Sequence, residues 1–357
     1  MPHPIANSTW GDEEIDAIQD VVLSGRLTMG PITEAYEKAY ANLMGSKYCV
    51  AVNSGSSANL LMVAAMSLRQ GVGTVIVPAI SWATSYAPFQ QYGWKLKFVD
   101  IDRKTLNYDI EQLNEAFTGD ELILAVNLLG NPNDYSKFPA LGNAVLEDNC
   151  ESMGAVYGGI PTGNFGAMGS HSTYFSHHMC TIEGGLITTD DPYYYEMLLS
   201  LRSHGWTRHL PEDNLHGAKV GHYDFIYPGY NVRTTDLQSA IGIEQIRKLP
   251  DLLKGRRENA KSFPLKKHET GASSWFGFPI ISERIEEIKA YFDKEEVEYR
   301  PILSHFTKSP VIKYYDYEIH GELKNADYVY ENGIYIGNSH EPIDWNFLDN
   351  ELFEELK

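Results

Sequence analysis

The chain has 357 residues, 43% hydrophobic and 22% charged, enough for one large α/β domain and a smaller one. Its formal net charge of −19 argues against nucleic-acid and membrane-surface partners, which need concentrated Lys and Arg; an anionic ligand would depend on local donors. No apolar run is long enough to cross a bilayer, and Met1-Pro-His-Pro4 lacks the basic-then-apolar order of a signal peptide, so the expected location is the cytoplasm.

From Trp10-Gly-Asp12 the chain offers capping residues and then places Ile15, Ile18, Val22 and Leu23 on one helical face, closed by Ser24-Gly25. A second amphipathic helix over 32–44 has Tyr36, Tyr40 and Leu43 in phase. A strand over 48–52 leads into Asn53-Ser-Gly-Ser-Ser-Ala-Asn59 and a helix over 60–66. Small residues between a strand and a helix can hold an anion on free N–H groups; taken alone, an ordinary N-cap is the better reading.

Further strands are predicted over 74–78, 97–100, 121–127 and 144–147, with helical patterns between them, for example over 81–90 and 110–117. This alternation implies a largely parallel sheet with helices on both faces and a site beyond the strands' C-terminal ends. Ser54 to Ser57, Trp82, Asp148 and His177 all fall at or just after strand ends. The stretch 172–185 reads as a short β-like run, the pair His177-His178, and a Glu183-Gly-Gly185 turn before a strand over 186–189. No lysine occurs from Phe138 through Ala218. Adjacent histidines in an extended segment point to opposite faces and rarely share an ion, so no metal site is expected. Cys49, Cys150 and Cys180 lack CxxC spacing and read as buried thiols. A helix over 192–201, a glycine-dotted loop over 209–230 and a capped helix over 234–247 follow. After Lys248-Leu-Pro250 short strands over 274–280 and 333–336 flank a charged helix over 283–292, which divides the chain into a large domain, 1–249, and a small α+β domain, 250–357.

Gly30-Pro31 with Tyr36-Glu37, the 53–60 turn, Glu147-Asp148, Glu183-Gly-Gly185 and Gly229-Tyr-Asn-Val-Arg-Thr-Thr-Asp-Leu-Gln238 together resemble the DegT/DnrJ/EryC1/StrS nucleotide-sugar aminotransferase family. That family is a branch of the fold type I enzymes that use pyridoxal 5′-phosphate (PLP). The resemblance covers about 10–249 and implies an α/β fold with a mostly parallel central sheet. It also implies a homodimer whose active sites are shared between subunits. The family's cofactor-anchoring lysine lies six residues before its Glu-Gly-Gly; here that position is His177, as in the lysine-less subgroup of sugar 3-dehydratases. One lysine-less branch carries an iron–sulfur cluster on four cysteines, which three scattered cysteines cannot supply.

The resemblance assigns Gly55, Ser56 and Ser172 to the cofactor phosphate, with Asn231 reaching it from a neighbouring subunit. Trp82 would stack on the pyridine ring, Asp148 would pair with its nitrogen, and Glu151, where aminotransferases usually carry Gln, would sit near its hydroxyl. His177, with an ordinary pKa near ~6.5, would be the base. The implied activity uses PLP and its amine form, pyridoxamine phosphate (PMP), to remove the C3 hydroxyl of a 4-keto-6-deoxy hexose, GDP-linked by preference. L-Glutamate would regenerate PMP. Arg300, His305 and Arg202 are candidates for the nucleotide-sugar end, because a diphosphate in an acidic protein needs cations. Rival readings are an aminotransferase relative and a catalytically silent PLP-fold binding or regulatory protein.

Overall fold

The computed structural model describes residues 3–357. Its strands are β1 (Tyr48–Val52), β2 (Thr74–Pro78), β3 (Ile80–Ser81), β4 (Lys95–Val99), β5 (Leu122–Val126), β6 (Gly142–Asp148), β7 (Val156–Tyr157), β8 (Ile160–Pro161), β9 (Gly166–Ser172), β10 (Gly185–Thr189), β11 (Gly277–Ile281), β12 (Tyr299–Pro301), β13 (Ser304–His305), β14 (Tyr317–Ile319) and β15 (Gly333–Gly337). The helices are α1 (Asp12–Ser24), α2 (Pro31–Met44), α3 (Gly55–Gln70), α4 (Ala83–Gln91), α5 (Ile110–Ala116), α6 (Pro192–Leu201), α7 (Asp236–Ser262), α8 (Ile285–Lys294) and α9 (Lys324–Asn332).

The main sheet has eight strands in the order β1-β10-β9-β6-β5-β2-β4-β14, and β10 alone runs against the others. Its central strands are buried on both faces, as a parallel sheet covered by helices requires. Alternate residues feed different cores: Val75 and Val77 enter one with Val50, Leu122 and Leu124, while Ile76 enters another with Val99, Ile123 and Val145. A third core joins Tyr36 and Tyr40 of α2 to Leu249 and Leu253 of α7. The smaller sheet, β11-β15-β12, has its own aromatic core of Phe263, Trp275, Phe278, Phe292 and Phe353.

Three expectations need correction. The apolar stripe assigned to α1 does not face inward: Ile15, Val22 and Leu23 are 47%, 54% and 84% exposed, while Glu14 and Val21 are buried. Glu14 turns in because its carboxylate meets Lys248 Nζ at 2.7 Å, Gln245 Nε2 at 2.7 Å and the Gly11 N–H at 2.7 Å. The expected division between 249 and 250 falls inside α7, which runs unbroken through Pro250 from the Tyr36–Tyr40 core to the small unit's core at Ala260. The last 108 positions are not wholly separate either, since β14 pairs in parallel with β4 of the main sheet and the N-terminal His3 bridges to Val297 of the small unit.

Candidate active site

The C-terminal ends of β1, β5, β6 and β9 open into a cavity of about 850 Å³, roofed by residues of the small unit and by Ile5 and Ala6. Gly55, Ser56, Trp82, Asp148, Glu151, Ser172 and His177 all line it, and no lysine does among the described residues. Asn231 does not; it lies exposed on a bridge to Ser203.

At one end, β1 delivers the chain to the start of α3. Ser54 caps the helix by accepting the Ser57 N–H at 3.0 Å, leaving the Gly55 and Ser56 N–H groups of the first turn without intrahelical partners. The helix start presses so closely on β6 and β9 that a Cβ on Gly55 would sit 2.8 Å from Ser172 Cβ and 2.9 Å from Cys150 Sγ. Only glycine fits there. The predicted helix over 60–66 thus begins five residues earlier than expected, at the glycine itself.

Asp148 ends β6. Its Oδ2 accepts Asn59 Nδ2–H at 2.8 Å and the Ser85 hydroxyl at 2.8 Å, and its Oδ1 accepts the Cys150 N–H at 3.2 Å. The preceding Glu147 points to the opposite face, fully buried, where Gly163, Phe165 and Gly166 N–H groups and the Tyr135 hydroxyl bind it. Burial still raises its carboxyl above the usual range. Glu147 is therefore structural, and Asp148 is the carboxylate offered to the cavity. Glu151 accepts the Leu129 N–H at 3.0 Å; burial, with the Asp148 charge adding to it, pushes its carboxyl up to about 7. Trp82 caps α4 at the cavity with its indole 60% exposed.

The two histidines lie in a turn after β9, not in an extended run: the His177 N–H donates to the Tyr174 carbonyl at 2.9 Å. Their imidazoles part company. His178 is buried, with Nε2 3.2 Å from the Ser274 carbonyl, a structural position. His177 faces the cavity against Phe276, ring centroids 5.2 Å apart, and its Nδ1 has no hydrogen-bond partner. Burial, aided by the Arg256 charge, pushes its pKa down to about 4, well under the ordinary value expected of it. A neutral imidazole at pH 7 follows.

Of the three cations named for the nucleotide-sugar end, Arg300 lines the cavity. Arg202 does not. It is buried against Glu37 and donates to the Ala51 carbonyl at 2.8 Å, an internal ion pair. His305 is buried on β13 beside Thr307 and Asp327, also outside the cavity. Asn59 and Ser85, which aim Asp148, escaped the sequence reading. Their signals were the Asn closing the 53–59 turn and a serine one helical turn beyond Ser81, whose hydroxyl lies 2.8 Å from that of Ser85. Phe276 carried no signal.

These residues fit a flat B6 phosphate: a helix start without acids for the tail, a hydrogen-bonded carboxylate for a ring N–H, an exposed indole for the face, and an unpartnered imidazole. Among the described residues no group of three or more His, Cys, Asp or Glu is placed to hold a metal ion, and no helix is long and apolar enough to cross a membrane.

The model of the DegT/DnrJ/EryC1/StrS aminotransferase family matches residues 8–341. The GDP-4-keto-6-deoxy-D-mannose 3-dehydratase of Yersinia pseudotuberculosis is 45% identical to this chain over 388 residues, covering 99% of it and 98% of the relative. A solved structure of GDP-4-keto-6-deoxymannose-3-dehydratase with a trapped PLP–glutamate geminal diamine aligns with a TM-score of 0.92 at 42% identity, covering 99% of this chain and 100% of that one. A histidine-to-asparagine variant of that enzyme with bound GDP-perosamine aligns at 0.93 and 43% identity, with the same coverage.

Proposed function

Because the chain belongs to the DegT/DnrJ/EryC1/StrS aminotransferase family, we propose that it is a PLP/PMP-dependent dehydratase removing the C3 hydroxyl of a GDP-linked 4-keto-6-deoxy hexose. One observation carries this reading: the cavity that would hold the cofactor is lined by His177 and by no lysine among the described residues. The full-length similarity to GDP-4-keto-6-deoxy-D-mannose 3-dehydratase supports the substrate. The PLP–glutamate adduct in a relative supports L-glutamate as the amine donor.

The bound pyridine ring supplies an electron sink that makes loss of the C3 hydroxide possible. Asp148 sustains that sink by holding a proton on the ring nitrogen through its negative charge. Gly55, Ser56 and Ser172 hold the phosphate at the start of α3, and Trp82 covers the ring face and sheds water from it. His177, neutral at pH 7, accepts a proton at an imidazole nitrogen and can return it to the oxygen leaving C3. An amine in its place would tether the cofactor and return the proton to carbon, giving an amino sugar. Asn231, exposed and outside the cavity of its own chain, would serve a second subunit, which makes the working unit a homodimer.

Purified protein incubated with PLP, L-glutamate and GDP-4-keto-6-deoxymannose tests the proposal. Release of 2-oxoglutarate with a 3-deoxy-4-keto product is the expected result. An amino-sugar product, or no turnover, overturns it.

A further inference from the structure

Arg256 lies on α7, is 3% exposed, and forms no ion pair among the described residues. Burial pulls its guanidinium down to about 10. Its Nη1 donates to the carbonyls of Trp275 at 3.4 Å and Phe276 at 3.3 Å. Neighbouring donors hold the same segment: Asn338 Nδ2 reaches the Trp275 carbonyl at 2.8 Å, and Arg257 Nε reaches the Ser273 carbonyl at 3.3 Å. A buried cation answered only by carbonyls is costly, and an apolar side chain would fill the space more cheaply. Packing alone does not account for it.

The clamped segment backs the cavity on two sides. The Phe276 ring lies against His177 and, at 5.9 Å, against His178. The Phe276 N–H donates to the Leu129 carbonyl at 3.0 Å, and the Leu129 N–H donates to Glu151 Oε2 at 3.0 Å. Leu129 and Trp275 both hold left-handed backbone, φ +50 and +49, which such residues adopt only where surrounding bonds enforce it.

We propose that Arg256 is a positioning residue for the His177 base, clamping the Trp275–Phe276 carbonyls so that Phe276 fixes the imidazole while the Leu129 relay fixes Glu151. The inference rests on the reading of His177 as the base. Electrostatics work in the same direction. His177 shares the cavity with Asp148, Glu151, Glu183, Arg300 and Tyr335, and its own turn adds Tyr174 and His178. From behind the cavity wall α7 adds Arg256, whose charge joins burial in keeping the imidazole unprotonated.

The test compares Arg256→Met, which keeps bulk and removes charge, with Arg256→Lys, which keeps charge and loses the planar fork. In holoenzyme labelled at histidine Cε1, the NMR midpoint of His177 should rise by about one pH unit in Arg256→Met, and kcat should fall about a hundredfold. Arg256→Lys should leave the midpoint in place and lower kcat roughly tenfold, with KM for L-glutamate unchanged. A folded Arg256→Met protein with unmoved midpoint and kcat overturns the proposal. If Arg256→Met does not fold, Arg256→Lys decides: lowered kcat at an unmoved midpoint supports the clamp, and unchanged kcat overturns it. His177→Gln separates the two readings. If that variant still turns over, the base assignment fails and this inference with it; if it is dead while both Arg256 variants behave as the unaltered enzyme, only the clamp is lost.

Discussion

Asp148 and Ser85 meet across the gap between β6 and α4, the serine hydroxyl donating to Asp148 Oδ2 at 2.8 Å while Asn59 donates to the same oxygen. Together the two donors fix the direction in which the carboxylate points. Asp148→Asn keeps the size but removes the charge and sets an amide N–H₂ among donors. The expected result is a kcat loss of about 10²-fold or more with PLP still bound, read from the cofactor absorbance and from 3-deoxy product. Near-normal turnover would mean that another group supports the ring nitrogen.

His177→Lys should convert a free cofactor into a tethered one. Treatment with PLP and sodium borohydride should add the mass of reduced PLP to the peptide carrying residue 177. The unaltered protein should add none in its cavity, where no lysine stands among the described residues. Labelling of the unaltered protein at any cavity residue would refute the pocket assignment.

Trp82 and Gly55 separate binding from folding. Trp82, 60% exposed, contributes little to the fold, so Trp82→Ala should change stability by no more than about 0.5 kcal/mol while raising the PLP dissociation constant roughly tenfold. Gly55→Ala forces a Cβ into Ser172 and Cys150, so it should cost about 1–3 kcal/mol of stability and weaken PLP binding as well. Urea midpoints and PLP titrations of the two variants, side by side, decide the matter.

Stability should fall in mild acid. Burial pushes His171 down to about 3 and His177 to about 4, and holds His178 well below its ordinary value. Between about 6.5 and those values the unfolded chain binds protons that the folded chain refuses, so stability is lost as pH falls. Each such proton is worth about 1.4 kcal/mol per pH unit. Glu151 has the opposite sign. Its folded value of about 7 lies above its unfolded one, so its contribution is full below about 4.5 and declines as pH rises toward 7. His171→Gln should flatten the dependence of the urea midpoint between pH 5 and 7, and Glu151→Gln should steepen it. A shallower curve for Glu151→Gln would contradict the raised carboxyl.

The sheet and the cavity's floor were legible because they follow from local rules. Fully apolar strands such as Leu122–Val126 and short turns after them announce a covered parallel sheet, and strand ends announce the site. Where distant partners decide, the sequence misled. Ile15 and Val22 carry the periodicity of a buried stripe, yet Lys248, more than two hundred positions away, draws Glu14 inward instead. Arg202 looked available for a diphosphate until Glu37 and the Ala51 carbonyl claimed it. Pro250 reads as a helix end because it lacks an N–H, but Leu249 and Leu253, on either side of it, pack into one core with Tyr36 and Tyr40 of α2, and α7 persists. Arg256 meets Phe276 only through backbone carbonyls, which carry no side-chain signature.

The unbroken α7 sets a limit on how relatives of this protein can exchange parts. At 27 residues it is a rod about 40 Å long, rooted in one core and ending in another, so a chimera joined at the apparent seam near 249 would splice two half-helices. Grafts that import a foreign sugar preference should cross after Ser262 and bring the partner's first few residues with them, because Ile5 and Ala6 belong to the same roof.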